Sequence, residues 1–460
     1  MIRFSVVGLG KLGASMAGAL AMRGHPVVGV DLNQHVVDQL NAGRAPVQET
    51  DLERVISTNR ERIRASTSHR EAILGSDITF VIVPTPSDSH GAFSLQYATW
   101  AFAEIGRALR EKEEYHLLVV TSTVLPGSTR YGLLPVLERE SGKRAGVDFG
   151  LCYNPELIAL GSIINDFLHP DFVLIGELDT RSGDVLEDAY QHILPESPPV
   201  ARMSLENAEL AKIAVNTFVT TKITFANMLA AICERLPGGD VDEVTRALGL
   251  DQRIGPRYLT GALGYGGPCF PRDNIALSFL AEAVGAPADL ARTTDASNRA
   301  LVDAVLQRLS PFLHPGATAA VLGLAYKPAS HVVEESQGLL LARALDRAGM
   351  RVVAFDPLAN DVARVELRDH AVVLDSVAAC LAQADMVLIT TPDPMFKALK
   401  AQDFVASGRP ITVVDFWRIL PQSISEAPSI TLIPIGRSVD EASNSARLAS
   451  LWGASSPDSA

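Results

Sequence analysis

Two doubly wound α/β domains joined by a central helical element are predicted by this 460-residue sequence, on three observations. Short β-branched runs alternate with amphipathic stretches over roughly the first third. Long helical periodicity takes over in the middle, and the strand and helix alternation returns beyond Pro311. Such alternation implies βαβ units and parallel sheets.

Taken in order, the first strands are Phe4-Ser5-Val6-Val7, Val27-Val28-Gly29-Val30, Thr79-Phe80-Val81-Ile82-Val83 and Leu117-Leu118-Val119-Val120. Between about Ser204 and Ala300, Leu205, Ala208, Leu210, Ile213, Phe218, Ile223, Met228 and Leu229 recur on helical faces, the mark of a connector or dimerisation element. The second alternation runs through Ala319-Ala320-Val321-Leu322, Arg351-Val352-Val353-Ala354-Phe355, Met386-Val387-Leu388-Ile389 and Ile411-Thr412-Val413-Val414. Each half also places a small-residue turn after its opening strand and an aspartate, Asp31 or Asp356, after its second. The expected segments are 1–203, 204–310 and 311–452, with a disordered tail over 453–460.

Composition narrows the function. With 40 basic against 53 acidic residues the formal charge is −13, and no dense Lys/Arg run occurs, which disfavours a nucleic-acid or anionic-membrane surface. No apolar stretch reaches the roughly 20 residues of a bilayer span, and the first eight residues read as a strand entering a turn, so a cytoplasmic location is expected. Cys152, Cys233, Cys269 and Cys380 form no CxxC pair, so neither a metal site nor a disulfide framework is expected.

Gly8-Leu9-Gly10-Lys11-Leu12-Gly13 directly follows a strand and opens a helical stretch from Ala14 to Arg23, with Asp31 closing the next strand. This is the full context of a dinucleotide-binding, Rossmann-like turn. Gly8 permits the tight turn, Gly10 admits a pyrophosphate to the backbone, Gly13 allows close helix packing, and the helix N-terminus attracts the anion. Asp31 would accept hydrogen bonds from a ribose diol and repel a 2′-phosphate, favouring NAD over NADP. Pro84-Thr85-Pro86 and Ser122-Thr123 fall at the carboxyl edge where such cofactors lie, making Thr85, Pro86 and Thr123 candidates. Taken alone, either loop reads as well as a proline turn or a capping hydroxyl.

The densest segment is Gly264-Tyr265-Gly266-Gly267-Pro268-Cys269-Phe270-Pro271-Arg272-Asp273, where three glycines allow backbone to wrap closely around a ligand just before a cysteine. A helix is expected to begin near Asp273. A thiol near a helix N-terminus with Arg272 beside it ionises more readily, and the thiolate is the nucleophile. Isolated free cysteines are more often small buried hydrophobes.

With Asn154-Pro155-Glu156-Leu157, Glu209-Leu210-Ala211-Lys212-Ile213-Ala214-Val215-Asn216, Arg253-Ile254-Gly255, Ser122-Thr123-Val124 and Gly323-Leu324-Ala325-Tyr326-Lys327-Pro328, this segment resembles the UDP-glucose/GDP-mannose dehydrogenase family, motif by motif and in order. The resemblance implies a homodimer or higher homo-oligomer acting on a nucleotide sugar. It also implies NAD-dependent four-electron oxidation of the C6 alcohol to a uronic acid. Cys269 would capture the aldehyde as a thiohemiacetal, and the resulting thioester would be hydrolysed. Lys212 is similar to the family lysine that supports alcohol deprotonation and stabilises oxyanions, with Asn216 one helical turn away as a fixed hydrogen-bond partner. Asp273 and Glu156 resemble carboxylates that position or activate water. Without the motif, Lys212 reads as a solvated helix residue and Glu156 as a cap or surface acid.

For substrate binding the resemblance implies Glu156, Leu157, Lys212, Asn216, Arg253, Tyr258, Gly264, Gly266, Tyr326 and Lys327, with Arg253 reaching a neighbouring subunit and Lys327 placing a point charge for a diphosphate. Tyr258 and Tyr326 could pack on base or sugar, or simply on protein. Three positions depart from the family pattern: Glu334 stands for an arginine, Leu160 for a second glutamate, and Trp417 precedes Arg418 where an arginine-rich turn is common. Two other readings stand beside this one: a single-step hydroxyacid dehydrogenase, and a catalytically silent binder of NAD or nucleotide sugar.

Overall fold

The computed structural model describes residues 1–158, 161–405 and 408–453. Leu160 and the expected tail beyond Gly453 lie outside the described residues. The chain divides into two compact units, Met1–Val215 with Phe279–Ala286, and Asn216–Ser278 with Pro287–Ala460.

The first unit holds an eight-stranded sheet of β1 (Phe4–Val7), β2 (Val27–Val30), β3 (Ile63–Ser66), β4 (Ile78–Val81), β5 (His116–Val120), β6 (Phe149–Tyr153), β7 (Val173–Glu177) and β8 (Val200–Ser204). Their order is β3-β2-β1-β4-β5-β6-β7-β8. All neighbours are parallel except β6 and β7, which pair antiparallel, a departure from the purely parallel sheet expected. In this sheet the sequence reading did not name β3, β6, β7 or β8; β8 is a short edge strand partly exposed from Val200 to Ser204, whereas β7 is buried from Val173 to Gly176. Strand β4 also ends before Ile82 and Val83. Val83 N–H turns aside to the Ser122 hydroxyl at 2.9 Å, and Pro84 follows, so the chain leaves the sheet earlier than its β-branched run suggests. Every residue of β1, β4 and β5 is buried, as expected of parallel strands covered on both faces.

The second unit holds β9 (Thr318–Leu322), β10 (Arg351–Phe355), β11 (Val372–Val373), β12 (Met386–Ile389), β13 (Ile411–Asp415) and β14 (Ile430–Pro434), all parallel in the order β11-β10-β9-β12-β13-β14. In both sheets the strand order reverses beside the opening strand, between β1 and β4 and between β9 and β12. A crevice outside the carboxyl ends at such a switch point is where doubly wound sheets take ligands.

The helices that position candidate residues are α1 (Lys11–Met22), α2 (Thr180–Ile193), α3 (Leu205–Cys233), α4 (Val241–Leu250), α5 (Phe270–Ala283) and α6 (Asp289–Leu309). Helix α5 begins three residues before the expected Asp273. Pro271 reads as a breaker, yet in a first turn a missing N–H costs nothing, so the helix starts upstream of it.

Candidate active site

The glycine turn after β1 matches its expected mechanics. Gly8 has φ +93°, and a Cβ there would meet Ile82 O at 2.1 Å; one on Gly13 would meet Gly8 O at 1.8 Å. Nothing lies within 4 Å of a Cβ on Gly10, so the outer side of the turn is open to an approaching ligand. Helix α1 has neither a side-chain cap nor an acid in its first turn, which leaves its N-terminal field for an anion. The Asp31 carboxylate accepts from Leu9 N at 2.9 Å and from Asn33 N at 2.9 Å, bracing the turn. Leu9 itself is a fully buried core residue, so only its backbone faces the turn, while Lys11 and Leu12 begin α1 half-buried. An open glycine, a bare helix N-terminus and a neighbouring carboxylate fit a dinucleotide pyrophosphate and ribose.

The two loops beyond β4 and β5 are tied together. Thr85 Oγ1 donates to Thr123 O at 2.8 Å, and Ser122 Oγ donates to Val83 O at 2.7 Å, whereas Pro86 is exposed. The second loop is also anchored to α3, where the fully buried Glu209 accepts from Gly127 N at 2.6 Å and Thr129 N at 2.8 Å. Burial pushes the Glu209 carboxyl up to about 7 against the pull of those amides. Its motif was recognised in the sequence, but not this role.

Three residues beyond Glu209 on α3, Lys212 is 9% exposed, and its Nζ donates to the backbone oxygen of Glu156 at 2.7 Å. Glu156 is half-buried as a residue, and burial of its carboxyl raises it to about 7, with the Lys212 charge acting the other way. Its neighbour Leu157 is half-buried on the same loop. Sequence reasoning missed Tyr190 of α2, whose hydroxyl reaches both Asn154 and Glu156, because a lone tyrosine in an amphipathic helix carries no motif.

The second unit assembles the cysteine loop. Cys269 is exposed immediately before α5, and Asp273 N–H bonds back to Cys269 O at 2.9 Å, placing the thiol at the helix N-terminus. Two successive rungs join α3 to α5: Asn216 Nδ2 donates to Asp273 Oδ2 at 2.6 Å, and Asn274 Nδ2 donates to Thr220 Oγ1 at 2.9 Å. Asp273 is 1% exposed, with the Arg272 guanidinium 3.9 Å away.

The glycines of the loop approach protein. A Cβ on Gly264 would meet Asn298 Oδ1 at 2.3 Å, one on Gly266 the backbone oxygen of Glu335 at 2.3 Å, and one on Gly267, at φ +80°, the Tyr326 ring at 2.7 Å. Asn298 of α6 both accepts from Tyr265 N and donates to Tyr265 O, clamping the loop. Glu334, where a cation was expected, offers its backbone oxygen to Gly267 N at 2.9 Å. Tyr326 is thus a packing partner of the loop, and Lys327 Nζ stands 5.7 Å from that ring. Trp417 Nε1 donates to Thr390 O at 2.8 Å, while Arg418 pairs with Asp242. Tyr258 is half exposed, edge-on to Phe270. Arg253 has an 87% exposed side chain and pairs with Asp251, following α4. Among the described residues no cluster of His, Cys, Asp and Glu could hold a metal, and no helix is long and apolar enough to cross a membrane.

A pyrophosphate-ready glycine turn at a switch point, with a conformationally clamped cysteine loop and a second doubly wound sheet, defines an NAD-dependent oxidoreductase. The matches to known proteins are specific. The NAD-binding domain of the UDP-glucose/GDP-mannose dehydrogenase family matches residues 2–194, its central domain residues 206–300, and its UDP-binding domain residues 320–422. The chain belongs to that family. It is 36% identical over 426 residues to a UDP-glucose 6-dehydrogenase of Haloferax volcanii, covering 91% of this chain and 97% of the relative. It is 33% identical over 444 residues to a GDP-mannose 6-dehydrogenase of Azotobacter vinelandii, covering 93% and 99%. Among solved structures, a UDP-glucose dehydrogenase from Pyrobaculum islandicum superposes with a TM-score of 0.85 at 34% identity, over 95% of this chain and 98% of that one.

Proposed function

We propose that the protein oxidises the C6 alcohol of a UDP-hexose, either UDP-glucose or a UDP-N-acetylhexosamine, to the uronic acid, with Cys269 as covalent nucleophile. The observation that carries this reading is the exposed Cys269 at the N-terminus of α5, on a loop whose three glycines are each closed against protein. The field of a helix N-terminus favours the thiolate, and a clamped loop keeps it in one place. The match of residues 320–422 to the family's UDP-binding domain supports a nucleotide-sugar substrate, and the 36% identity to a UDP-glucose 6-dehydrogenase supports uridine in this reading.

The cofactor would lie on Gly8, Gly10, Gly13 and Asp31, with Thr85, Pro86 and Thr123 on the adjoining loops. NAD, when bound, supplies the hydride acceptor for both oxidations. Lys212, held by the backbone oxygen of Glu156, offers a fixed positive charge to the alkoxide that precedes the aldehyde. Cys269 Sγ adds to the aldehyde carbon to give a thiohemiacetal, which keeps the intermediate bound until its oxidation to the thioester. Asn216 and Asp273, already paired, orient groups about the sulfur, and Glu156 takes the proton of the water that releases the acid. Leu157, Tyr258 and Lys327 complete the substrate surface in this reading, Gly264 and Gly266 offering it backbone alone, with Tyr326 packed against the loop.

We further propose three functional segments, 1–203, 204–310 and 311–452, supported by the three family matches, and a cytoplasmic location suited to soluble nucleotide sugars. Homo-oligomerisation is supported by α3, where Phe218, Phe225 and Ile232 are 64%, 45% and 46% exposed at seven-residue spacing. An exposed apolar heptad stripe needs a partner helix. Arg253 would reach a neighbouring copy from its exposed turn.

Cys269→Ser tests the covalent step. We expect binding of NAD and UDP-sugar to survive while uronic acid formation falls to background, read by mass analysis of the product; full acid formation by the variant would remove the covalent mechanism.

A further inference from the structure

Beside Glu156, Asn154 and Tyr190 are arranged so that the phenol proton is committed away from the carboxyl. Asn154, 2% exposed, follows β6, and its Nδ2 donates to Leu174 O of β7 at 2.8 Å. Its Oδ1 therefore faces α2, where the Tyr190 hydroxyl lies 2.6 Å away. An amide oxygen has no proton to give, so this short contact is donated by the phenol. A phenol has one proton. The same hydroxyl oxygen lies 3.4 Å from Glu156 Oε1, and toward that carboxyl it has only a lone pair to present. A lone pair accepts from a carboxylic acid and repels a carboxylate.

We infer that Tyr190, locked in orientation by Asn154, is a positioning residue that stabilises the acid form of Glu156 in the resting enzyme and aims the carboxyl. This rests on the reading of Glu156 as the group that works on water in the hydrolytic half of the reaction. Two neighbours of Glu156 pull in opposite senses. From α3, the Lys212 ammonium favours the carboxylate; from α2, the Tyr190 oxygen, its one proton held by Asn154 at 2.6 Å, favours the acid. Burial adds to the second, and the carboxyl sits close to neutrality, where a general base is most effective because it can both take and return a proton. Without the tyrosine the lysine would win a larger share, and the carboxyl would be a weaker base.

The test reads Glu156 directly in the resting full-length protein, by difference infrared spectroscopy of the protonated carboxyl carbonyl across a pH series. Glu156→Gln assigns the band by abolishing it. Tyr190→Phe removes the acceptor and should move the midpoint down by roughly 0.5–1 pH unit. Asn154→Ala keeps the ring but frees its proton to turn toward Glu156, and should also move the midpoint down, which guards against a folding defect in the first variant. An upward shift in Tyr190→Phe would show that the phenol donates to the carboxylate, and an unmoved midpoint in both variants would show that the tyrosine merely packs. Either result overturns the inference. Because no turnover is needed, failure of the catalytic reading is seen separately, as wild-type acid formation by Glu156→Gln.

Discussion

Glu156 and Glu209 have similarly raised carboxyls but different surroundings, and the surroundings separate their roles. Glu209 is fully enclosed and spends both oxygens on backbone amides of a neighbouring loop. Glu156 is only half-buried, with its backbone oxygen on Lys212 and its carboxyl beside Tyr190. The first is a strut; in the proposed reading the second is the group that takes the proton of water. Since burial lifts Glu156 to about 7, its base form is depleted below that pH and dominant above it. The rate of acid formation should therefore fall as pH drops through 7. Glu156→Gln should lower kcat by roughly 10²–10⁴-fold and flatten that limb, as measured by product formation over pH 5.5–9 (about neutral on either side). A variant that keeps the limb would assign it to another group.

At the scale of elements, α3 carries much of the design. It anchors the loop after β5 through Glu209, presents Lys212 one turn later, and then pairs with α5 through Asn216 and Thr220. Glu209→Ala would leave two amide donors without their acceptor, at about 1–3 kcal/mol for each one that stays buried. The expected outcome is a clear drop in thermal stability together with a raised KM for NAD, because the loop bearing Thr123 loses its anchor; an unchanged KM would place that loop away from the cofactor. These helical and strand elements were largely legible, because buried parallel strands such as His116–Val120 and the glycine turn carry their period and spacing locally. What was not legible depends on contacts distant in sequence. The 82-residue separation of Gly127 and Glu209 and the 36-residue separation of Asn154 and Tyr190 leave no local trace. Nor could spacing show that Gly264, Gly266 and Gly267 face Asn298, Glu335 and Tyr326, since a glycine needed by protein and one needed by ligand look alike in sequence.

For the whole molecule, two doubly wound sheets supply two switch points and one chain links them, which suits a reaction needing both a cofactor and a nucleotide-bearing substrate. The pattern repeats in detail. Asp356 accepts from Leu324 N and Ala325 N after β9 as Asp31 accepts from Leu9 N after β1. The exposed heptad stripe of α3 gives the assembly prediction: Phe218→Glu with Phe225→Glu should shift the protein to a smaller species by light scattering, and an unchanged mass would place the subunit contact elsewhere.

The central claim is a four-electron oxidation through Cys269, and the stoichiometry of reduced cofactor to sugar tests it most directly. With limiting UDP-sugar and excess NAD, two NADH per sugar should accumulate and the product should be a uronic acid by mass; one NADH per sugar with an aldehyde or ketone product would contradict the account.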